Sequence, residues 1–403
     1  MSVLTPRQLR HLASSCGASR QSIVQRIIDN GVDTPRSVVW GQFLDAARGD
    51  RQYGIYGTGA AAAILARNGY GRNTALVGGA EQSIRAWGER RSSPFDQSDL
   101  RLTYKVAAAC EAIDSDIPLA DSLQPLEKHL LELVVPGSDA WGSFHGETTA
   151  SLLPTATALY ALRRSRHFIA SREATSAVAW LARHVLEGYS GLPLEQLAMA
   201  VLALEPHRLP DRPGEAQRLE AIGKGSQAIS ELVQGRRISE LGTKTTIHYP
   251  VDGDNKTHNH YVYCLPDVLA ASALLLTEGA PSSRKYVLQV ARHVVENVSA
   301  HGAYQAEGRI ATRDQNEVDR FLELVTKRLA QGRGDLLPAP LAFVDASLPR
   351  RLITGLVLAS GGAWGTYVSV AAQSSAEKTV GGVLAMVLLG ILAAALWGWG
   401  VRK

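Results

Sequence analysis

Cysteine is scarce in this chain. Its 403 residues include only Cys16, Cys110 and Cys264, far apart in sequence. That excludes a disulfide framework and a CxxC zinc pair, and it fits a reducing compartment. An excess of one charge sign is missing too. Charged residues make up 20% of the chain and the formal net charge is +4, which implies no long-range pull toward nucleic acid. The stretch Met1 to Arg7 has no apolar run, so no signal peptide is expected. Strand-like alternation is confined to a few residues near Thr245 to Tyr249, which points to an all-α fold.

What is present is concentrated at the C-terminus. Leu352 to Ala372 and Thr379 to Val401 carry no charged residue, and a polar loop, Gln373 to Lys378, separates them. About 20 apolar residues at a helical rise of about 1.5 Å cross the hydrocarbon core of a bilayer. The two runs therefore read as a transmembrane helical hairpin. Arg350 and Arg351 precede it and Arg402 and Lys403 follow it, so both ends are expected on the cytoplasmic side of the cell inner membrane, with the large preceding domain. Trp397 and Trp399 sit where aromatic side chains favour the interface. Gly355, Gly361, Gly362 and Gly365 suit close helix packing within the hairpin or between copies, as in a homo-oligomer. The same glycines dilute the first run, which also reads as a buried helix of a soluble core.

Upstream, one unit recurs: an aromatic-glycine loop, then a helix rich in Ala and Leu. The loops are Tyr53-Gly54-Ile55-Tyr56, Trp141-Gly142-Ser143-Phe144, Gly188-Tyr189-Ser190-Gly191 and His301-Gly302-Ala303-Tyr304, with looser copies from Phe95 and from His248. Six loops spaced by roughly 40 to 60 residues mark a helical repeat. Amphipathic helices such as Ser171 to Leu186 and Ser283 to Val298 lie between them. Six pairs, each with one helix buried all round and one with a wet face, close into an α/α toroid; an open solenoid is the alternative.

Trp141-Gly142-Ser143-Phe144 followed by Thr155 to Leu162 resembles the repeat of the terpenoid cyclase and protein prenyltransferase superfamily. In architecture the likeness covers about residues 45 to 330. It implies a toroid with a central cavity, where those enzymes bind isoprenoid chains; fold alone does not give function.

The densest chemistry lies between His248 and Asp267. His258, His260 and Cys264 are candidate metal ligands, with Asp252 and Asp254 nearby, since imidazole, thiolate and carboxylate bind zinc. In the prenyltransferases the matching loop carries an Asp-x-Cys zinc pair; Asn259 and Tyr261 occupy those places here, and neither is a good zinc ligand. Asp252 and Asp254 are also candidate catalytic acids. They resemble half of the Asp-x-Asp-Asp acid of class II cyclases, with Asn255 replacing the last carboxylate. The same residues suit a plain turn. Tyr53, Tyr56, Trp141, His145, Glu147 and Tyr261 form a candidate ligand-binding set in equivalent loops, although loop aromatics also pack between helical pairs.

Two weaker patterns complete the inventory. Leu9 to Ile23 has the Ala, Gly and Ile spacing of a helix-turn-helix, but Arg26 falls where an apolar residue is expected, and no nucleic-acid partner is expected. Gly79 to Gln82 resembles the thioester motif of complement-like toroids, yet Ala80 occupies the cysteine position, so no thioester forms.

The organisation read from sequence is N-terminal helices over 1–45, a toroid over 46–330, a linker over 331–350 and the hairpin over 351–403. Two function classes follow. In the first, the toroid senses a small-molecule or protein ligand and the hairpin perturbs the membrane. That layout resembles bacterial antiviral defence effectors. In the second, the toroid is a cyclase- or prenyltransferase-like enzyme on a membrane isoprenoid lipid and the hairpin is an anchor. The sequence names no cofactor. The lack of a clean zinc triad or acid pair favours sensing.

Overall fold

Residues 6–34, 37–46, 53–71, 73–89, 102–111, 124–207, 214–236, 238, 243–251, 254–277 and 283–330 are described in a computed structural model. The chain divides into two units, Met1–Leu336 and Leu337–Lys403, and every described residue belongs to the first. The expected linker over 331–350 and hairpin over 351–403 lie outside the described residues, as does Asp252. Among the described residues no helix is long and apolar enough to cross a membrane.

The described chain is predominantly helical. Six helices alternate along it with six others: α2 (Ile55–Arg67), α4 (Thr103–Glu111), α6 (Leu152–Leu162), α9 (Leu194–Leu204), α11 (Pro266–Leu276) and α13 (Thr312–Ala330). These core helices contact one another in cyclic order, α2 to α4 to α6 to α9 to α11 to α13 and back to α2. Flanking them are α1 (Pro6–Asn30), α3 (Ala75–Glu89), α5 (Gln124–Glu132), α8 (Arg172–Gly188), α10 (Glu215–Leu232) and α12 (Ser283–His301). A single turn, α7 (Arg166–Ile169), precedes α8.

Composition explains the division. In α6 every residue from Leu153 to Leu162 is buried, and α2, α9 and α11 are buried almost end to end. Small side chains let the helix axes approach. A Cβ on Gly59 of α2 would lie 2.5 Å from the Ala108 carbonyl oxygen of α4, so only glycine fits that crossing. The flanking helix α8 instead buries one stripe, Ala174, Ala177, Val178, Leu181, Ala182 and Val185, the helical spacing of an amphipathic segment. Its start is fixed by Ser171, whose Oγ accepts from the Ala174 N–H at 3.1 Å.

The joints between units are made of hydrogen bonds. Thr155 Oγ1 of α6 accepts from the Trp141 N–H at 3.0 Å, and the Trp141 indole donates to the Leu130 carbonyl at 2.7 Å. Trp40 repeats this: its N–H donates to Thr58 Oγ1 at 3.1 Å and its indole to the Ile27 carbonyl at 2.8 Å. So Trp40-Gly41-Gln42-Phe43, not Tyr53-Gly54-Ile55-Tyr56, is the first copy of the loop. The first and last units meet through an internal joint's chemistry. Thr103 Oγ1 donates to the Gly142 carbonyl at 2.6 Å, and Thr312 Oγ1 donates to the Gly41 carbonyl at 2.7 Å.

Two sequence expectations change. The segment around Thr245 to Tyr249 is a longer antiparallel hairpin, β3 (Thr243–Val251) with β4 (Asp254–Cys264); its polar and His-rich alternation hid it. A second, short pair joins β1 (Val32–Thr34) to β2 (Ser37–Val39). The helix-turn-helix spacing at Leu9 to Ile23 falls inside α1, an unbroken helix that runs straight through Gly17.

Candidate functional site

The sixth core helix departs from the other five. From Thr312 to Asp319, α13 reads Thr-Arg-Asp-Gln-Asn-Glu-Val-Asp, and all of these residues are buried. Buried polar groups persist only when paired, and here nearly every one reaches another element. Gln315 ties down the Tyr304 backbone, accepting its N–H at 2.8 Å and donating to its carbonyl at 2.7 Å. Glu317 accepts the Leu265 N–H at the start of α11.

Two buried carboxylates organise the cluster. Glu111, at the end of α4, accepts from Arg313 at 2.7 Å, Asn316 at 2.7 Å and Arg320 at 3.1 Å. Burial opposes its ionisation, but Arg313, Arg320 and Arg163 outweigh burial and hold its pKa at about 2. Asp319 accepts from Arg20 at 2.9 Å, Arg67 at 3.0 Å and Asn68 at 3.1 Å. There too burial is overcome, by Arg67 and Arg20, and the pKa is lowered. Asp314 and Glu317 behave oppositely. Burial pushes both carboxyls up, Glu317 adds repulsion at Asp314, and Arg313 compensates only in part. Among the described residues Asp314 Oδ1 has no hydrogen-bond partner.

Two cavities flank this cluster. At the N-terminal halves of the core helices, Tyr56, Tyr104, Cys264, Arg313 and Glu317 enclose 20 Å³, room for about one water. At their C-terminal ends, Arg67, Tyr160, Arg163, Arg164, Arg320 and Lys327 line a cavity of 310 Å³ together with Glu205 and Glu323. The Arg163 and Arg320 guanidiniums lie 3.6 and 4.5 Å from the Tyr160 ring centre, both in cation–π range. A groove of 750 Å³ also runs along α10 and α12, past Arg236, Lys285, Tyr286, Arg292 and His293.

The residues expected from sequence scatter over this frame. Tyr56 and Cys264 come together at the small cavity, where burial raises both pKa values. Trp141 is a packing residue, 1% exposed. Tyr53 is half-buried and pairs with Gly41 across a β-bridge. His145 is exposed, and Glu147 is half-buried, its carboxylate accepting the Ser143 N–H. Asp254, His258, His260 and Tyr261 take register positions opposite Val251, Tyr249, Ile247 and Thr246. Along a strand rising about 3.3 Å per residue, Cys264 is roughly 13 Å from His260 and roughly 20 Å from His258. Among the described residues no group of three His, Cys, Asp or Glu side chains is placed to hold a metal.

Sequence reading missed Arg67, Glu111, Arg163 and the polar half of α13. One signal was available. A sixth loop, His301 to Tyr304, requires a sixth core helix after it, and that helix carries the charges. No protein-family model matches the chain, and no curated protein sequence matches it at a significant level.

Proposed function

We propose that α1 to α13 form a closed α/α toroid, beginning ahead of the expected boundary at 46, that senses a ligand or partner, and that residues 351–403 form a two-helix membrane hairpin through which the toroid acts on the inner membrane. The cyclic order of the six core helices carries this reading, with Gly41 and Thr312 joined as Gly142 and Thr103 are. The large cavity supports a binding role: 310 Å³ falls within the range of small-molecule pockets, about 300–1,000 Å³. Arg320, Glu323, Leu324 and Lys327 of α13 line the large cavity, and α13 ends at Ala330, where the chain continues into the linker. Occupancy therefore acts on the helix that leads to the hairpin. As in bacterial defence effectors of this layout, assembled hairpins would breach the bilayer.

Overexpression in a bacterial host tests this directly. The full chain is expected to arrest growth and depolarise the membrane, and removing residues 349–403 is expected to abolish both effects. A harmless full-length protein that floats with membranes would make the hairpin an anchor and end the effector reading.

A further inference from the structure

Five cations line the large cavity, Arg67, Arg163, Arg164, Arg320 and Lys327, against two carboxylates, Glu205 and Glu323. Glu323 is already paired, 2.7 Å from Lys327. The two carboxylates behind the wall are saturated, Glu111 by Arg313, Asn316 and Arg320, and Asp319 by Arg20, Arg67 and Asn68. The positive excess therefore faces the cavity. Part of it answers the helix ends, whose exposed carbonyls carry partial negative charge: Arg163 donates to the Tyr160 carbonyl near the end of α6. That and the Lys327–Glu323 pair account for two cations of the five.

The remainder is built for an anion. The side chains of Arg67 and Arg320 are 10% and 11% exposed, so each guanidinium is held in a medium that screens poorly. Arg320 donates to Glu111 through Nη2 only, and among the described residues its Nε and Nη1 have no protein partner. A planar guanidinium with donors to offer matches the oxygens of a phosphate. The arginines also strain one another. Burial, then repulsion from Arg320, lowers the pKa of Arg163, and Arg320 adds to the same shift at Arg67. A bound anion relieves that repulsion. The other walls, Ala66, Leu202, Pro206, Leu276 and Leu324, are apolar and suit an uncharged remainder.

We infer that this cavity binds a ligand through a phosphate or pyrophosphate group, held by Arg67, Arg164, Arg320 and Lys327 with Tyr160 and Arg163 as its stacked floor. The site lies at the end of the core helices away from the aromatic-glycine loops, so it owes nothing to the repeat that prompted the fold assignment. The inference rests on the toroid being a binding domain and gives the ligand its chemistry. A soluble nucleotide-like molecule and an anionic phospholipid headgroup share that chemistry.

The full chain in nanodiscs of phosphatidylcholine, titrated with inorganic pyrophosphate and with ATP, tests the site by the rise in Tm. The variant is R164E/K327E. Arg164 is exposed and the Lys327 side chain is 64% exposed, so the fold is expected to survive. Wild type should be stabilised, and the variant should need at least about tenfold more anion for the same rise, given the loss of two charges at close range. If pyrophosphate and ATP are silent but nanodiscs containing phosphatidylglycerol raise the Tm, and the variant abolishes that rise, the headgroup is the source and the site stands. Stabilisation by neither, or equal stabilisation of a folded variant, overturns the inference. Growth arrest scored in parallel separates the two claims. Arrest that requires residues 349–403 without anion binding removes this site and leaves the membrane reading. Anion binding without arrest does the reverse.

Discussion

Helices α6 and α13 hold equivalent places in the cyclic set, yet they are buried by opposite means. From Leu153 to Leu162, α6 is almost wholly apolar; Thr155 and Thr157 turn their hydroxyls back onto backbone carbonyls. Its burial follows from removing apolar area from water, which has little direction. From Thr312 to Asp319, α13 is polar, and its side chains bond to α1, α2, α4, the start of α11 and the Tyr304 loop. Each of those bonds has a length and an angle. An apolar helix can slide or rotate at modest cost, whereas a helix held by paired charges on several neighbours has one seat. That contrast gives α13 its place: it is the last core helix, and it must close against the first.

The sharpest way to break the contrast is to unpair the polar side. Glu111→Ala strands Arg313 and Arg320 in the core and is expected to cost about 3–5 kcal/mol, since breaking a buried pair leaves an uncompensated charge. Denaturant unfolding of the full chain in detergent reads it. Replacing Glu111, Arg313 and Arg320 together by Leu, Met and Met should recover most of that loss. A triple variant no better than Glu111→Ala would show that the network is not a replaceable unit. The apolar counterpart, Leu159→Ala in α6, opens a cavity beneath a fully buried side chain and should cost about 2–4 kcal/mol, with no dependence on salt or pH.

Acid separates the two helices further. His207 is buried, and its Nε2 lies 2.8 Å from the Leu159 carbonyl of α6. Burial lowers its pKa from 6.5 to about 4, the bond to Leu159 compensating only in part. Between those values the unfolded chain binds the extra proton. Stability is therefore present above 6.5 and falls as pH drops toward 4, by up to about 3 kcal/mol. His207→Gln should flatten that window. Glu111 and Asp319, with lowered pKa values, lose their contribution only in stronger acid, below the ordinary carboxylate range.

The smallest effect has the opposite sign. The pKa of Asp314 is raised, so the folded chain holds a proton that the unfolded chain releases, and stability falls as pH rises above 3.8. Asp314→Asn removes that penalty and should raise stability near pH 7 while changing little in acid. Denaturation at the two pH values checks it. A loss near neutral pH would mean that the ionised carboxylate is used.

Legibility in the sequence followed the same division. Helices such as α6, α9 and α11 were visible because Ala and Leu runs have one physical use, burial, and the loops before them recur. The strand hairpin was visible only in part, near Thr245 to Tyr249, because most of β3 and β4 is polar. Trp40 was overlooked in favour of Tyr53 because both stand in glycine-containing loops. The bonds from the Trp40 N–H to Thr58 and from its indole to Ile27 tell them apart. His258, His260 and Cys264 were picked out by residue type, and β4 carries all three. Their strand keeps them in line, and the concentration of buried charge lies on α13 instead.

By itself the sequence determined the helical class and the apolar pattern of core helices such as α6, α9 and α11, since these depend on local composition and period. Tertiary structure alone decided that Arg67, Glu111, Arg163, Asp319 and Arg320 form one cluster, because their side chains come from α2, α4, the cap of α6 and α13 across more than half the described chain. A charge in a sequence reads as solvated until a partner is placed beside it. Only tertiary packing brings Glu111 to Arg320 and leaves more arginines than carboxylates along a cavity.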